Sequence, residues 1–436
     1  MKHRFSKTLL ILNYSLLIIL ILSSCSVSKQ ISKKANNILL KDSSVTTGHI
    51  GISIYEPATG KYWYDYNSTH YFVPASNTKL FTLYAGMKYL GDSLVGLRYT
   101  EQNDTLFIQP AGDPTFLLSE YKIQNVYSFL KAAKKKIYLN NSIWKDEPIG
   151  NGWAWNDYMD TYMAGKSYQP IYGNLLTIKC IAPETFQFEP AYFKKQLAAI
   201  DPGAYTSFNA FRQFSDNKIG IGKGNLKTQT FTFYPDEETT INLLKDTLKQ
   251  DIVISPFSKK YNNIIHSQPT DSLFKPMMHR SDNFFAEQTL LMASNEHLGY
   301  MNDAKIIDTL LKSDLKDIPQ RPKWVDGSGL SRYNLFTPKD FIYILNKMQN
   351  EFGLQRMKVI LPTGGEGTIS SYFKKDAGYI YAKTGTLSNN CALSGYLITN
   401  KGKLLIFSIL ANNYITAATP IRKAEERFLQ YIREKY

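Results

Sequence analysis

Cysteine is nearly absent from this chain: three residues in 436, at positions 25, 180 and 391. Such isolation excludes C-x-x-C redox chemistry and the paired spacings of structural zinc sites. Histidine is almost as sparse, with six residues and no H-E-x-x-H or other ligand spacing, so neither a catalytic metal nor a cofactor is expected. Internal repeats and low-complexity tracts are missing, which excludes solenoid and fibrous architectures. Acidic residues are also in short supply, 37 against 51 Lys and Arg, leaving a net charge of +14. That excess is spread along the chain and is densest from Lys131 to Lys136. No nucleic-acid-binding motif accompanies it, so nucleic acid is not expected as a partner. A basic surface facing an anionic polymer or membrane is the better expectation.

What is present is a globular composition. Hydrophobic residues make up 43% and charged residues 20%, and 436 residues are enough for two or three domains. The 30 Tyr and 24 Phe fit either broad binding surfaces or Tyr-rich strands and cores, and composition does not choose between them. At the start, Lys2, Arg4 and Lys7 form a positive n-region ahead of an apolar run from Leu9 to Leu22, too short for a comfortable membrane span. Leu22-Ser23-Ser24-Cys25 closes that run and resembles the lipobox of bacterial lipoproteins, in which the Cys is lipidated and becomes the mature N-terminus. An ordinary signal peptide or an uncleaved anchor are the alternatives, and each exports the body. Cys180 and Cys391 sit in apolar, strand-like runs. They read as two separate buried thiols, with one disulfide as the alternative in an oxidising compartment.

The chain is organised around Pro74-Ala75-Ser76-Asn77-Thr78-Lys79-Leu80-Phe81. Pro suits a helix start, and Leu80, Leu83 and Tyr84 continue with apolar residues at helical spacing. Ser76 would then occupy the first turn, where free backbone N–H groups and the macrodipole favour negative charge. Lys79, one turn on, is near enough to take the serine's proton, giving a nucleophile with its base built in. Two further motifs follow in order: Ser281-Asp282-Asn283 and, 102 positions later, Lys383-Thr384-Gly385.

Around these motifs the periodicity changes several times. Residues 1–25 form the export signal, and 26–47 a polar, basic tether followed by a short helix. Gly51–Tyr55 and Lys61–Tyr66 flank the turn residues Pro57–Gly60 as a hairpin. Near the C-terminus, strands are expected at Gly378–Lys383, Ala392–Thr399 and Lys403–Leu410, before an amphipathic helix from Pro420 to Tyr436. Strands at both ends imply one antiparallel sheet built from both termini, with Lys383 along its edge. Residues 270–350 read as helical, with Thr337 and Pro338 as N-cap and first helical residue of the last helix. The segment 98–266, rich in strand and turn signals, reads as an inserted β-rich domain within a body made of 48–97 and 267–436. Gly220-Ile221-Gly222-Lys223-Gly224 lacks phosphate-loop spacing and reads as a hairpin turn.

S-x-x-K, S-D-N and K-T-G together are a signature of penicillin-binding proteins and class A β-lactamases. The sequence resembles more closely the S13 family of D-alanyl-D-alanine carboxypeptidases/endopeptidases, over nearly the whole exported chain. Gly112-Asp113-Pro114-Thr115, Gly152-Trp153-Ala154-Trp155-Asn156-Asp157, Asp326-Gly327-Ser328-Gly329-Leu330-Ser331-Arg332 and Leu361-Pro362 to Gly367-Thr368 stand in that family's order. The 205 positions between Ser76 and Ser281 separate it from class A β-lactamases, whose second motif lies far closer. The insertion is shorter here than in larger members of the family.

This resemblance implies an α+β, penicillin-binding-protein/β-lactamase-like serine transpeptidase fold: an antiparallel sheet flanked by helices, a helical subdomain and the inserted domain. It implies a penicillin-sensitive hydrolase acting on peptidoglycan stem peptides, with β-lactams as covalent inhibitors; the lipobox-like start adds a lipid anchor on Cys25 that would hold it at the periplasmic face of a membrane. Ser76 would attack the D-Ala-D-Ala carbonyl, with Lys79 as base and Lys383 as the nearby cation that depresses its pKa. Ser281 would relay the proton to the leaving amine, while Asn283 holds Lys79 and the substrate amide. The N–H groups of Ser76 and Thr386 would receive the oxyanion, and Lys383, Thr384, Gly385 and Thr386 the substrate's terminal carboxylate. Asp157 would face the amine of a diamino acid in the stem peptide, and Arg332 its carboxylate. Tyr162 either lines that pocket or packs structurally, and Asp282 is either part of the site or a loop-stabilising carboxylate. A β-lactamase and a catalytically silent wall-binding lipoprotein are the alternatives, while oligomeric state is not legible.

Overall fold

The structure, a computed structural model, describes residues 27–201, 206–255 and 260–436. The expected signal peptide and Cys25 lie outside the described residues. The chain divides into two compact units, one taking the chain up to Asn77 with Pro319–Pro322 and Leu335–Tyr436, the other Thr78–Ile318 with Lys323–Asn334.

The first unit is built on five antiparallel strands in the spatial order Ile380–Leu387, Asn390–Ile398, Leu404–Asn412, His49–Glu56, Lys61–Tyr66. The two chain ends therefore share one sheet, joined where Ile52 pairs with Ile409. One face is covered by the C-terminal helix Ala418–Lys435, which buries Ile421, Phe428, Leu429 and Ile432. Burying four such side chains contributes roughly 6–12 kcal/mol before entropy is counted. Helix Pro338–Phe352 packs against strands His49–Glu56 and Leu404–Asn412. Its start carries a reciprocal cap: Asp340 N–H donates to Thr337 Oγ1 at 3.2 Å and Thr337 N–H to Asp340 Oδ2 at 2.7 Å.

The tether expected after Cys25 is already helical at residue 27, over 27–35, and ends in a π-helical turn, Asn36–Leu40. Ile31, Ala35 and Leu39 recur every fourth residue and are fully buried in the same core as the C-terminal helix. The polar residues between them hid that stripe in the sequence.

The second unit contains helix Lys79–Tyr89, which packs against helix Asn283–Leu298. The latter is buried nearly all round, from Phe284 to Asn295. Its polar side chains must therefore find partners in the interior. A five-stranded mixed sheet, in the order Ile252–Ile254, Lys136–Leu139, Thr105–Pro110, Ser93–Gln102, Asn263–Pro269, spans the expected insertion. Two three-stranded sheets accompany it. Gly220–Gly224 is not a turn: Ile219–Lys223 is a strand between Leu197–Ile200 and Phe208–Arg212. Glycine is needed at Gly224, where a Cβ would lie 2.3 Å from the Phe208 backbone; at Gly220 a Cβ would meet only the exposed Phe211 ring, at 2.2 Å. Cys180 and Cys391 are not joined in a disulfide, and Cys180 is half-buried where burial had been expected.

Candidate active site

Ser76 lies in a 3-10 turn, Ala75–Thr78, that runs straight into helix Lys79–Tyr89. The α-helix thus begins at Lys79, later than the sequence implied. Ala75 has a left-handed backbone, φ 47°, which turns the chain sharply just before the serine. Asn77 is fully buried and its Nδ2 donates to Ser394 Oγ at 2.7 Å, which pins the turn to the sheet.

Lys383, Thr384, Gly385 and Thr386 occupy the edge strand Ile380–Leu387. Lys383 is fully buried, with Nζ donating to the Thr384 carbonyl at 2.8 Å, while Thr386 is exposed. Gly385 explains itself by close approach: a Cβ there would lie 2.5 Å from Pro74 O, 3.0 Å from Ser76 N and 3.1 Å from Asn77 N. Only glycine lets the strand backbone lie against the Ser76 turn. Two contacts that no motif revealed steady this strand. Arg422, from the C-terminal helix, donates to Gly385 O at 2.8 Å and to Thr386 Oγ1 at 3.0 Å. Thr384 Oγ1 donates to Thr368 Oγ1 at 2.7 Å, within the Leu361–Thr368 stretch.

In the second unit Lys79 is fully buried. Its Nζ donates to Asn283 Oδ1 at 2.6 Å and to the Ser328 carbonyl at 2.7 Å. Burial lowers the Lys79 pKa to about 8, against the opposing pull of the Asp326, Glu287 and Asp282 charges. An amine in that range is neutral often enough near neutral pH to accept a proton. Asn283 spends its other end on the Tyr162 carbonyl, 2.9 Å from Nδ2.

Ser281 immediately precedes this helix and is half-buried in a left-handed conformation, φ 62°. Its neighbours hold it. Asp282 caps the helix by accepting from Phe285 N at 2.9 Å, and its other oxygen accepts from Arg280 Nε at 3.0 Å. Arg280 in turn makes a bidentate pair with Glu120, at 2.6 and 2.7 Å. Asp282 thus stabilises this loop and the start of the helix.

Asp326 organises the loop that carries Ser328. Oδ1 accepts from Gly329 N (2.8 Å) and Asn334 Nδ2 (2.7 Å), Oδ2 from Ser331 N (2.6 Å) and Trp153 Nε1 (3.0 Å). The last contact ties this loop to the Trp153–Asp157 stretch. Asp157 is half-buried there, and burial together with Asp160 and Asp157 raises the Tyr162 phenol. Arg332 is exposed. Among the described residues no group of three or more His, Cys, Asp or Glu is arranged to hold a metal ion.

A family model, the D-Ala-D-Ala carboxypeptidase 3 (S13) family, matches residues 31–215 and 229–431. The chain belongs to this family. S13 membership makes it a serine-type D-Ala-D-Ala carboxypeptidase, and the alternatives of a β-lactamase or a silent binding protein give way. It is 23% identical to the D-alanyl-D-alanine carboxypeptidase DacB of Haemophilus influenzae, over 85% of this chain and 87% of the relative. The D-alanyl-D-alanine carboxypeptidase of Actinomadura sp. strain R39 is 25% identical, with coverage of 86% and 80%. The fold is that of penicillin-binding protein 4 from H. influenzae, with a TM-score of 0.73 and 21% identity over 93% of this chain and 99% of that one.

Glu287 went unnoticed in the sequence. It lies one helical turn beyond Asn283, fully buried, and accepts from Ser328 N at 2.7 Å and Gly327 N at 3.1 Å. The available signal was an acid inside an otherwise apolar run, Phe284-Phe285-Ala286-Glu287.

Proposed function

We propose that this S13 carboxypeptidase works through an acyl-enzyme on Ser76, with Lys79 as its base, on peptidoglycan stem peptides. Ser76 Oγ bonds to the carbonyl carbon of the penultimate D-Ala and its proton passes to the Lys79 amine. The peptide C–N bond then breaks, and the leaving D-Ala amine takes a proton through Ser281. Water hydrolyses the ester and restores Ser76. Backbone N–H groups of Ser76 and Thr386 receive the oxyanion, and Lys383 with Thr384, Gly385 and Thr386 the substrate carboxylate. The observation that carries this reading is Lys79: a buried lysine with a lowered pKa, three residues after a serine in a sharp turn.

The same chemistry cleaves D-amino-acid cross-links, so D,D-endopeptidase activity is part of the proposal. A neighbour in fold is a predatory peptidoglycan endopeptidase from Bdellovibrio bacteriovorus, with a TM-score of 0.52 and 16% identity over 88% of this chain. Penicillin sensitivity follows from the acyl-enzyme, and the H. influenzae protein has been seen complexed with a β-lactam. We further propose that residues 98–266 are an inserted domain, and that its Asp157, with Arg332, reads the diamino acid of the stem peptide. Lipidation of Cys25, after export, would hold the enzyme at a membrane facing the wall. Mass analysis of purified cross-linked muropeptides tests the activity: loss of one D-Ala and separation of dimers are both expected. Products unchanged from a no-enzyme control would refute it. Release of the Cys25→Ser protein from the membrane fraction tests the anchor, and retention there would contradict it.

A further inference from the structure

The helix Asn283–Leu298 grips Lys79 from two sides, and only one of them is a recognised motif residue. Asn283 does so directly, at 2.6 Å. One turn along, Glu287 does so through a loop. Its two carboxylate oxygens are both used on successive backbone amides, Ser328 N at 2.7 Å and Gly327 N at 3.1 Å. The nearer of those amides belongs to Ser328 itself, whose own carbonyl receives the second Lys79 contact, at 2.7 Å, while the N–H of that carbonyl's peptide, Gly329 N, is held by Asp326 at 2.8 Å. The loop is also pressed onto the same helix: a Cβ on Gly327 would lie 2.7 Å from Ala286 O. From the opposite direction Thr82, on the Lys79 helix, donates its hydroxyl to Gly327 O at 2.6 Å. The loop is thus clamped between the helix that carries Lys79 and the helix that carries Asn283.

A carboxylate is the side chain that suits this place. Two convergent N–H donors need two acceptors, and an amide side chain offers one acceptor and one donor. Burial raises the Glu287 carboxyl, and Asp326 adds to this, while Lys166 and the Ser328 contact pull it down. Lys166 is itself buried and paired with Asp146 at 2.6 Å and Asp303 at 2.5 Å. A buried acid kept in such surroundings for packing alone would cost stability without return. We propose that Glu287 is a positioning residue for the reaction: it sets the Ser328 carbonyl, and through it the direction of the Lys79 amine. The inference rests on Lys79 being the base, as proposed above.

The test compares Glu287→Gln, Glu287→Asp and the unrelated core variant Leu310→Ala, using a D-Ala-D-Ala peptide and a fluorescent penicillin on the full chain. Glu287→Gln turns an NH2 group towards one of the two amides and is expected to lower kcat about 10- to 100-fold with KM unchanged. Penicillin acylation is expected to slow by the same factor. Glu287→Asp keeps both acceptors on a shorter arm, and its kcat is expected between wild type and Glu287→Gln. Leu310→Ala lowers the melting temperature while the rate per folded molecule stays at the wild-type value. Should Glu287→Gln not fold, the Glu287→Asp protein alone decides, through its kcat with KM held. A wild-type kcat in a folded Glu287 variant, or equal losses in kcat for Leu310→Ala, overturns the positioning role. Ser76→Ala separates the two layers: if it still labels with penicillin, the underlying nucleophile assignment fails; if it is silent and the Glu287 variants are not impaired, only the positioning role fails.

Discussion

Lys79 Nζ stands 2.6 Å from Oδ1 of Asn283, a residue 204 positions away in the chain. This single contact joins the first and second sequence motifs, and its acceptor is neutral. A carboxylate in the same place would stabilise the ammonium and spoil the base. Asn283→Asp is therefore expected to raise the Lys79 pKa and move the acidic limb of the kcat/KM profile to higher pH. Asn283→Ala removes the contact and leaves the buried amine misaligned, with kcat/KM about 100-fold lower. A pH profile of each variant on a D-Ala-D-Ala peptide checks both.

Lys79 also predicts how wild-type activity and stability depend on pH. Its folded pKa is lowered by burial to about 8 from the ordinary 10.5. Acylation should rise with pH as the amine loses its proton, levelling above pH 8. For stability the sign is as follows: the cost of the buried cation is fully present below about pH 8 and is relieved as pH rises towards 10.5, because the unfolded chain then holds more protons. Across that window wild type should gain roughly 3 kcal/mol relative to Lys79→Met. Denaturant titrations of both proteins at pH 7 and pH 10 measure the difference.

Gly385→Ala is a steric test of the K-T-G strand. The added methyl would meet Pro74 O at 2.5 Å and the amides of Ser76 and Asn77 at 3.0 and 3.1 Å. The strand lies at the sheet edge, so the fold should survive while the strand is pushed from the Ser76 turn. Acylation by penicillin is expected to fall about 100-fold with the circular dichroism spectrum unchanged.

Asp326→Asn tests the loop. The carboxylate accepts four donors, and the amide would present N–H to two of them. A loss of about 2–4 kcal/mol in unfolding free energy is expected from the unmatched buried groups. It also removes a charge that raises the Lys79 pKa, so the acidic limb should move to lower pH. Chemical denaturation and a pH profile of the same preparation read the two effects separately.

Much of the fold was legible because its elements carry strong periodicity. The hairpin around Pro57–Gly60, the three C-terminal strands and the Thr337 cap were all readable from neighbours in sequence. The short helix expected within 26–47 forms, but its start at residue 27 and its buried stripe were not legible, since Ile31, Ala35 and Leu39 lie among Lys, Ser and Asn. Gly220–Gly224 misled because three glycines signal a turn, whereas here Gly220 and Gly224 admit the Phe208–Phe211 stretch at close range. At the site, motif spacing marked Ser76, Lys79, Asn283 and Lys383. Glu287 and Arg422 act by hydrogen bonds to backbone groups distant in the chain, and Asp326 reaches the distant Trp153 side chain from within its own motif; no local pattern encodes such partners.

The most direct test is to incubate the full chain with penicillin, digest it and locate the adduct by mass. One penicilloyl group on the peptide containing Ser76, lost in Ser76→Ala, is the predicted result. An adduct on another residue, or one that persists in Ser76→Ala, would contradict the account.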